Sequence, residues 1–370
     1  MKKKVISLLM CAVMVFSVFA GLNTSEAEAY RIKEGKEVKG LWVGFCDFEE
    51  LGLKTTSEET FRKNTAKLLD RAKTYRINTV YFHARAFQDA TYRSETYKAS
   101  KYMSSSTAIA SEAFANFDPL EIFVQEAHKR KMELHAWLNP YRITYDTFLD
   151  PAKESSTNDI KNAIREIMEY DVDGFHFDDY FYHSSKYYKD LSTGKRYTIN
   201  TSEAAKRKNV NNMIKSVRKM IKDKDQTLRF GISPQGNYDN AMKTGADIKT
   251  WLASDEYVDY VTPQIYWTDD WGTKGGVTMF TNRLNQFSEM RVNKDVKMYI
   301  GLALYRANKS FKDDKGWKKS QNNMSVQIDK LRAAGMDGFV FFSAPNLFSS
   351  TAKQERINMK PQIANKEYLY

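Results

Sequence analysis

From about residue 37 onward, two hydrophobic patterns alternate along the chain. Short apolar runs rich in β-branched and aromatic residues fall at 39–46 (KGLWVGFC), 78–85 (NTVYFHAR), 132–139 (MELHAWLN), 172–179 (VDGFHFDD), 228–235 (LRFGISPQ), 258–267 (VDYVTPQIYW), 297–305 (KMYIGLALY) and 337–344 (DGFVFFSA). These read as strands. Between them, residues 61–75, 119–131, 158–170, 202–222 and 326–334 repeat apolar positions every three and four residues, the period of an amphipathic helix. Eight such β units predict a closed (β/α)8 TIM barrel, an α/β fold in one domain. An open doubly wound sheet is the runner-up. It would carry a glycine-rich first turn, and GLWVGFCDFEE has none.

Links from helix into strand are brief, whereas links after strands are long: 86–117 after strand two, 180–201 after strand four and 268–278 after strand six. In a barrel, post-strand loops gather on one face, where active sites form. The loop after strand four holds Tyr180, Tyr182, Tyr187, Tyr188 and Tyr197, rings suited to walling a groove.

Side chains alternate along a strand, so Val80, Phe82 and Ala84 should face the helices, with Tyr81, His83 and Arg85 inward. By the same rule Leu134, Ala136, Leu138, Phe175, Phe177, Val261 and Ile265 face outward. Arg85, Asn139, Asp178, Gln264 and Tyr266 then converge at the barrel mouth, with Trp137 and His176 deeper. One β-bulge would reverse the parity of its strand. Asp178 and Asp179 end an apolar strand side by side. Burial and mutual repulsion should raise the pKa of such a carboxyl, as a general acid requires.

Composition narrows the setting. Lys2, Lys3 and Lys4 precede an apolar run and an A-E-A site, which reads as a secretory signal over 1–29, followed by a short segment 30–36, the barrel 37–350 and a tail 351–370. The expected location is secreted, extracytoplasmic and associated with the cell wall, with no stable membrane span after signal removal. Cys46 alone remains after such cleavage and reads as a small buried residue. The net charge of +11 suits an anionic surface. No compact basic helix or stacking motif suggests nucleic acid as a partner. No cofactor motif is found, and no metal site is assigned.

NTVYFHARAFQDATY, FDPLEIFVQEAHKRKMELHAWLNPYR, DVDGFHFDDYFY, FGISPQG, VDYVTPQIYW and GFVFFSA resemble the bacterial glycosyl hydrolase-like family 10 over about residues 37–348. The resemblance implies an exported barrel glycosidase acting on cell-envelope glycan, including peptidoglycan strands stripped of stem peptides. It implies a catalytic centre at Asp178 and Asp179. Substrate-positioning roles would fall to Arg85, Asp89, Trp137, Asn139, Tyr141, Arg142, Gln264, Tyr266 and Trp267, with His176 beside them. Strand four is also similar to the chitinase pattern D-G-x-D-x-D-x-E, but carries His176 for an aspartate and Tyr180 for the acid glutamate.

The expected activity is therefore hydrolysis of an N-acetylhexosamine-containing polysaccharide, with Asp178 as acid. Glycosidases generally use two carboxylates, about 5–5.5 Å apart for retention and about 6.5–9.5 Å for inversion. Asp179, Asp89, Asp47 and Asp269 are all candidates for the second, and a substrate acetamido group could serve instead. A glycan-binding barrel without catalysis is one alternative. A metal-dependent deacetylase using His83, His135 and His176 is another.

Overall fold

The computed structural model describes residues 32, 35–183 and 186–368. The expected signal over 1–29 lies outside the described residues. Eight parallel strands close into a barrel: β1 (Val38–Val43), β2 (Thr79–Arg85), β3 (Glu133–Leu138), β4 (Gly174–Phe177), β5 (Arg229–Ile232), β6 (Tyr260–Val261), β7 (Lys297–Leu302) and β8 (Gly338–Phe341). Each strand pairs with its neighbours in sequence, and β8 closes onto β1. All eight predicted runs hold a strand. The run at 258–267 supplies only two strand residues, because Pro263 lacks an N–H and Gln264 continues as a single bridge to Gln235 and Gly301.

The five helical patterns form Glu58–Lys73, Pro119–His128, Glu154–Ile167, Glu203–Lys224 and Asn323–Ala333. Local chemistry sets their starts. Ser57 Oγ accepts from Thr60 N–H, and Asp118 accepts from Leu120 and Glu121 N–H just before Pro119 at the first helical position. Along Glu58–Lys73 the residues Phe61, Thr65, Leu68, Leu69 and Ala72 are buried, one stripe turned to the strands. Residues beyond 350 form two short helices, Lys353–Asn358 and Lys360–Ala364. Buried Glu355 there accepts from Asn323 and Met324 N–H, which ties the segment to the barrel. No helix among the described residues is long and apolar enough to cross a membrane.

The core has two parts. Val80, Phe82, Leu134, Ala136, Phe175, Phe177 and Val261 belong to the large cluster between strands and helices. Trp42, Tyr81, Trp137, Tyr260 and Tyr299 form a small aromatic cluster inside the barrel. Large rings fit there because the adjacent, hydrogen-bonded strands carry glycine. A Cβ on Gly40 would lie 2.8 Å from the Tyr81 ring, and one on Gly231 would lie 2.2 Å from Tyr260.

The alternation holds except at one place. β2 pairs Tyr81 with His135 and His83 with Trp137, then Arg85 with Leu138, so Ala84 is an extra residue. That irregularity turns Arg85 to the outer side beside Leu138. The expected inward Arg85 is thus corrected: it is fully buried, pairs with Asp159 at 2.5 Å and lies 4.9 Å from the Tyr97 ring centre.

Candidate active site

The loops after the strands are the long ones. Residues after β2 form a 3-10 turn, Lys101–Met103, and a helix, Thr107–Asn116. Segments after β3 and β4 join in a small sheet of Thr147–Leu149, Tyr187–Lys189 and Arg196–Tyr197. Among these loops, at the C-terminal end of the barrel, lies a cavity of about 310 Å³.

Asp178 and Asp179 both line it, as do Trp137, Asn139, Arg142, Gln264 and Tyr266. β4 delivers Asp178 one residue past its last strand position, on the side of His176, so the floor of the cavity continues the barrel interior. Asp178 is 3% exposed. Burial, then the neighbouring Asp179 charge, pushes its carboxyl well above the ordinary carboxylate value, while Arg142 pulls the other way. Asp179 is half-buried and rises to about 6, chiefly through desolvation, against hydrogen bonds from the Gln235 and Gln264 side chains. The two acids thus differ in proton affinity, Asp178 holding its proton more firmly than Asp179.

Beneath them lies a hydrogen-bonded aromatic layer. Trp42 Nε1 donates to His176 Nε2 at 3.2 Å, which leaves His176 Nδ1 to carry the proton toward Tyr260 Oη at 3.1 Å. Tyr260 Oη sits 2.8 Å from His135 Nδ1. Burial lowers the His176 pKa far below its usual value, so the ring is neutral. His176 therefore supports the floor without lining the cavity. His83 stacks on Trp137 at 3.8 Å and 13°, which covers one face of the indole. Among the described residues no group of three His, Cys, Asp or Glu is arranged to hold a metal ion.

Several expected residues lie elsewhere. Tyr141 is fully buried against Phe181. Trp267 packs over Gly236 and gives its carbonyl to Gln327. Asp89 accepts from Phe87 N–H at 2.9 Å and lines a separate, adjoining cavity. Asp269 is bound by Lys330 and Thr281, which lower its pKa against burial. Asp47 is closer to the site. It is buried beside the cavity-lining Cys46, takes hydrogen bonds from Gly44 N–H and Ser343 Oγ, and is pushed up to about 6 by burial. Cys46 itself is exposed at the rim, because a 3-10 turn, Phe45–Asp47, ends β1 and carries it out of the core.

Trp42, Phe45, Tyr145, Ser233 and Phe342 also line the cavity, and sequence reasoning did not single them out. Gln235 was missed as well. Its signal is the repeated Pro-Gln of SPQG and TPQI: the two glutamines bridge neighbouring strands and both reach Asp179.

A closed barrel with an acid pair on its loop face, walled by aromatic rings and amides, is the architecture of the glycoside hydrolase class. The chain matches the family described as Glycosyl hydrolase-like 10 over residues 37–158 and 145–319 and belongs to it. It is 26% identical over 326 residues to the glycosyl hydrolase YngK of Bacillus subtilis, covering 75% of this chain and 62% of that one. It is 25% identical over 354 residues to the glycosyl hydrolase DigH of Escherichia coli K12, covering 79% of each. Its fold is similar to the PgaB glycoside hydrolase domain of Bordetella bronchiseptica, with a TM-score of 0.57, 11% identity and coverage of 88% and 98%.

Proposed function

We propose that this protein is a secreted glycosidase that hydrolyses N-acetylhexosamine-containing glycan of the cell envelope, including peptidoglycan strands stripped of stem peptides. The observation that carries the reading is the split between the two carboxyls: Asp178 buried and holding its proton, Asp179 beside it ionising near 6. In this reading Asp178 protonates the glycosidic oxygen as the bond breaks. Asp179, as a carboxylate held by Gln235 and Gln264, stabilises the positive charge that develops on the sugar. It does so by attacking, by activating water or by orienting the substrate acetamido group. Trp137, Tyr266 and Tyr180 supply apolar faces for the ring, and Asn139 supplies an amide for its substituents. The family membership and the names of the similar proteins support the reaction class. The positive charge of the chain supports an anionic envelope as the place of work.

The test is Asp178→Asn assayed on peptide-free glycan strands by mass spectrometry of released fragments. Loss of a general acid should lower kcat by about 10²–10⁴-fold in a folded variant. Undiminished product would remove Asp178 from the mechanism. Glycan binding by the wild type with no new reducing ends on any envelope glycan would instead identify a binding barrel.

A further inference from the structure

One wall of the catalytic cavity is built where the barrel closes. Trp42, Phe45 and Cys46 come from β1 and the 3-10 turn that ends it, and Phe342 follows β8. β1 and β8 pair in register as far as Leu41 and Phe341. The lining residues lie beyond that pair, and Asp47 joins the two segments there. Its Oδ2 accepts from Gly44 N–H at 2.9 Å, which holds the turn onto the end of β1. Its Oδ1 accepts from Ser343 Oγ at 2.9 Å, one residue past Phe342. Asp47 and Ser343 are both buried, where little water competes for the bond.

The tie bears on two half-buried rings. Phe342 stacks on Tyr266 at 5.9 Å and 23°, and meets Trp42 edge-on at 6.0 Å. Phe45 meets His83 edge-on at 5.4 Å and Tyr102 at 4.6 Å. Asp47 thus reaches the cavity through both rings. The donors to its carboxyl are all neutral: Gly44 N–H, the Ser343 hydroxyl and, at 3.8 Å, the Cys46 thiol. A carboxylate buried among neutral groups is costly to the fold, and desolvation accordingly raises its pKa. Stability alone gives no reason for an acid at this position. Two charge-assisted hydrogen bonds, stronger than an amide would make, give one.

We propose that Asp47 is a positioning residue. It clamps the end of β1 to the end of β8, so that Phe45 and Phe342 stand as fixed walls for a sugar ring beside the acid pair. Asp47 itself touches neither the substrate nor the reacting atoms. This rests on the glycosidase reading and adds to it a residue behind the cavity wall that sets substrate affinity.

The experiment compares Asp47→Ala, Asp47→Asn and Ser343→Ala on peptide-free wall glycan strands. Loosened walls lose binding that ground state and transition state share, so KM should rise while kcat stays within about twofold. A merely structural defect would lower the active fraction, and with it the apparent kcat, but leave KM alone. Asp47→Ala should raise KM about tenfold. Asparagine can still accept from Gly44 N–H and donate to the Ser343 hydroxyl, so Asp47→Asn should raise it only about threefold. Ser343→Ala should also cost about threefold, and adding it to Asp47→Ala should change nothing further, since the two side chains act through one contact. An unchanged KM in Asp47→Ala or, where that variant does not fold, in Ser343→Ala would overturn the proposal. So would asparagine as damaging as alanine, or additive effects in the double variant. The same series is followed by calorimetric binding to the strands. Wild-type protein that neither cleaves nor binds them would overturn the proposal together with the glycosidase reading. Wild-type protein that binds without releasing reducing ends, with dissociation constants in the same order across the series, would retain the clamp and refute hydrolysis; binding without that order would refute both.

Discussion

Asp179→Asn should make the protein more stable at pH 7.5 while it loses activity. The carboxyl ionises at about 6 in the folded chain against an ordinary 3.8. That difference makes its charged form less favourable in the fold by about 3 kcal/mol at most. Water reaches this half-buried group, so the stabilisation realised on neutralising it is nearer 1–2 kcal/mol. Asparagine keeps a carbonyl for the Gln235 and Gln264 side chains. Above pH 6 the acid is charged in folded and unfolded chains alike, and the fold bears the whole penalty. As pH falls from about 6 to 3.8 the folded chain takes up the proton first, and the penalty fades. Below 3.8 it is gone. Scanning calorimetry should therefore show Tm raised by about 1.5–3 °C at pH 7.5, with the gap closing by pH 3.5. A variant less stable than wild type at pH 7.5, or a gain independent of pH, would refute the reasoning.

The same two acids predict a bell-shaped pH profile of kcat/KM. It rises as Asp179 ionises near pH 6 and falls at higher pH as Asp178 gives up its proton; a profile flat from pH 5 to 8 would contradict the role assignment. Arg85→Ala should lower stability by about 3 kcal/mol, because it leaves Asp159 without its cation, yet preserve kcat in the folded fraction. Urea unfolding with active-site titration separates the two effects. Gly231→Ala should abolish soluble expression or cut stability by several kcal/mol, since its Cβ would enter the Tyr260 ring. A wild-type urea midpoint would show that the barrel interior yields more readily than its packing implies.

The barrel was legible because its signal is redundant. Eight apolar runs, five helical periods and loops lengthened on one side all agree, so the short β6 does not disturb the whole. The site was legible in part for the same reason: Asp178, Asn139, Trp137 and Gln264 follow from alternation and do line one cavity. Where the reading failed, a single local event intervened. One extra residue at Ala84 sent Arg85 outward, and nothing in HARAFQ announces it. Cys46 is exposed because the chain turns at Phe45, two residues past β1, where an apolar run gives no stop signal. Tyr141 and Trp267 sit in motifs beside true cavity residues, and proximity in sequence did not carry them in. Which acid is charged at neutral pH depends on burial, and burial comes only with coordinates.

The charges around Asp178 bear on its chemistry. With Asp178 protonated, the ionised groups lining the cavity are Asp179 and Arg142, of opposite sign. Removing the Asp178 proton would add a second negative charge with no further cation in the lining to balance it, which is a physical reason for its proton to be held so firmly. Arg142 is the one cation in the lining that favours ionisation of either acid. Arg142→Gln should therefore move both limbs of the kcat/KM pH profile to higher pH, because each carboxyl then holds its proton more firmly. Limbs that stay in place in a folded variant would show that the Arg142 charge does not set the protonation of the two acids.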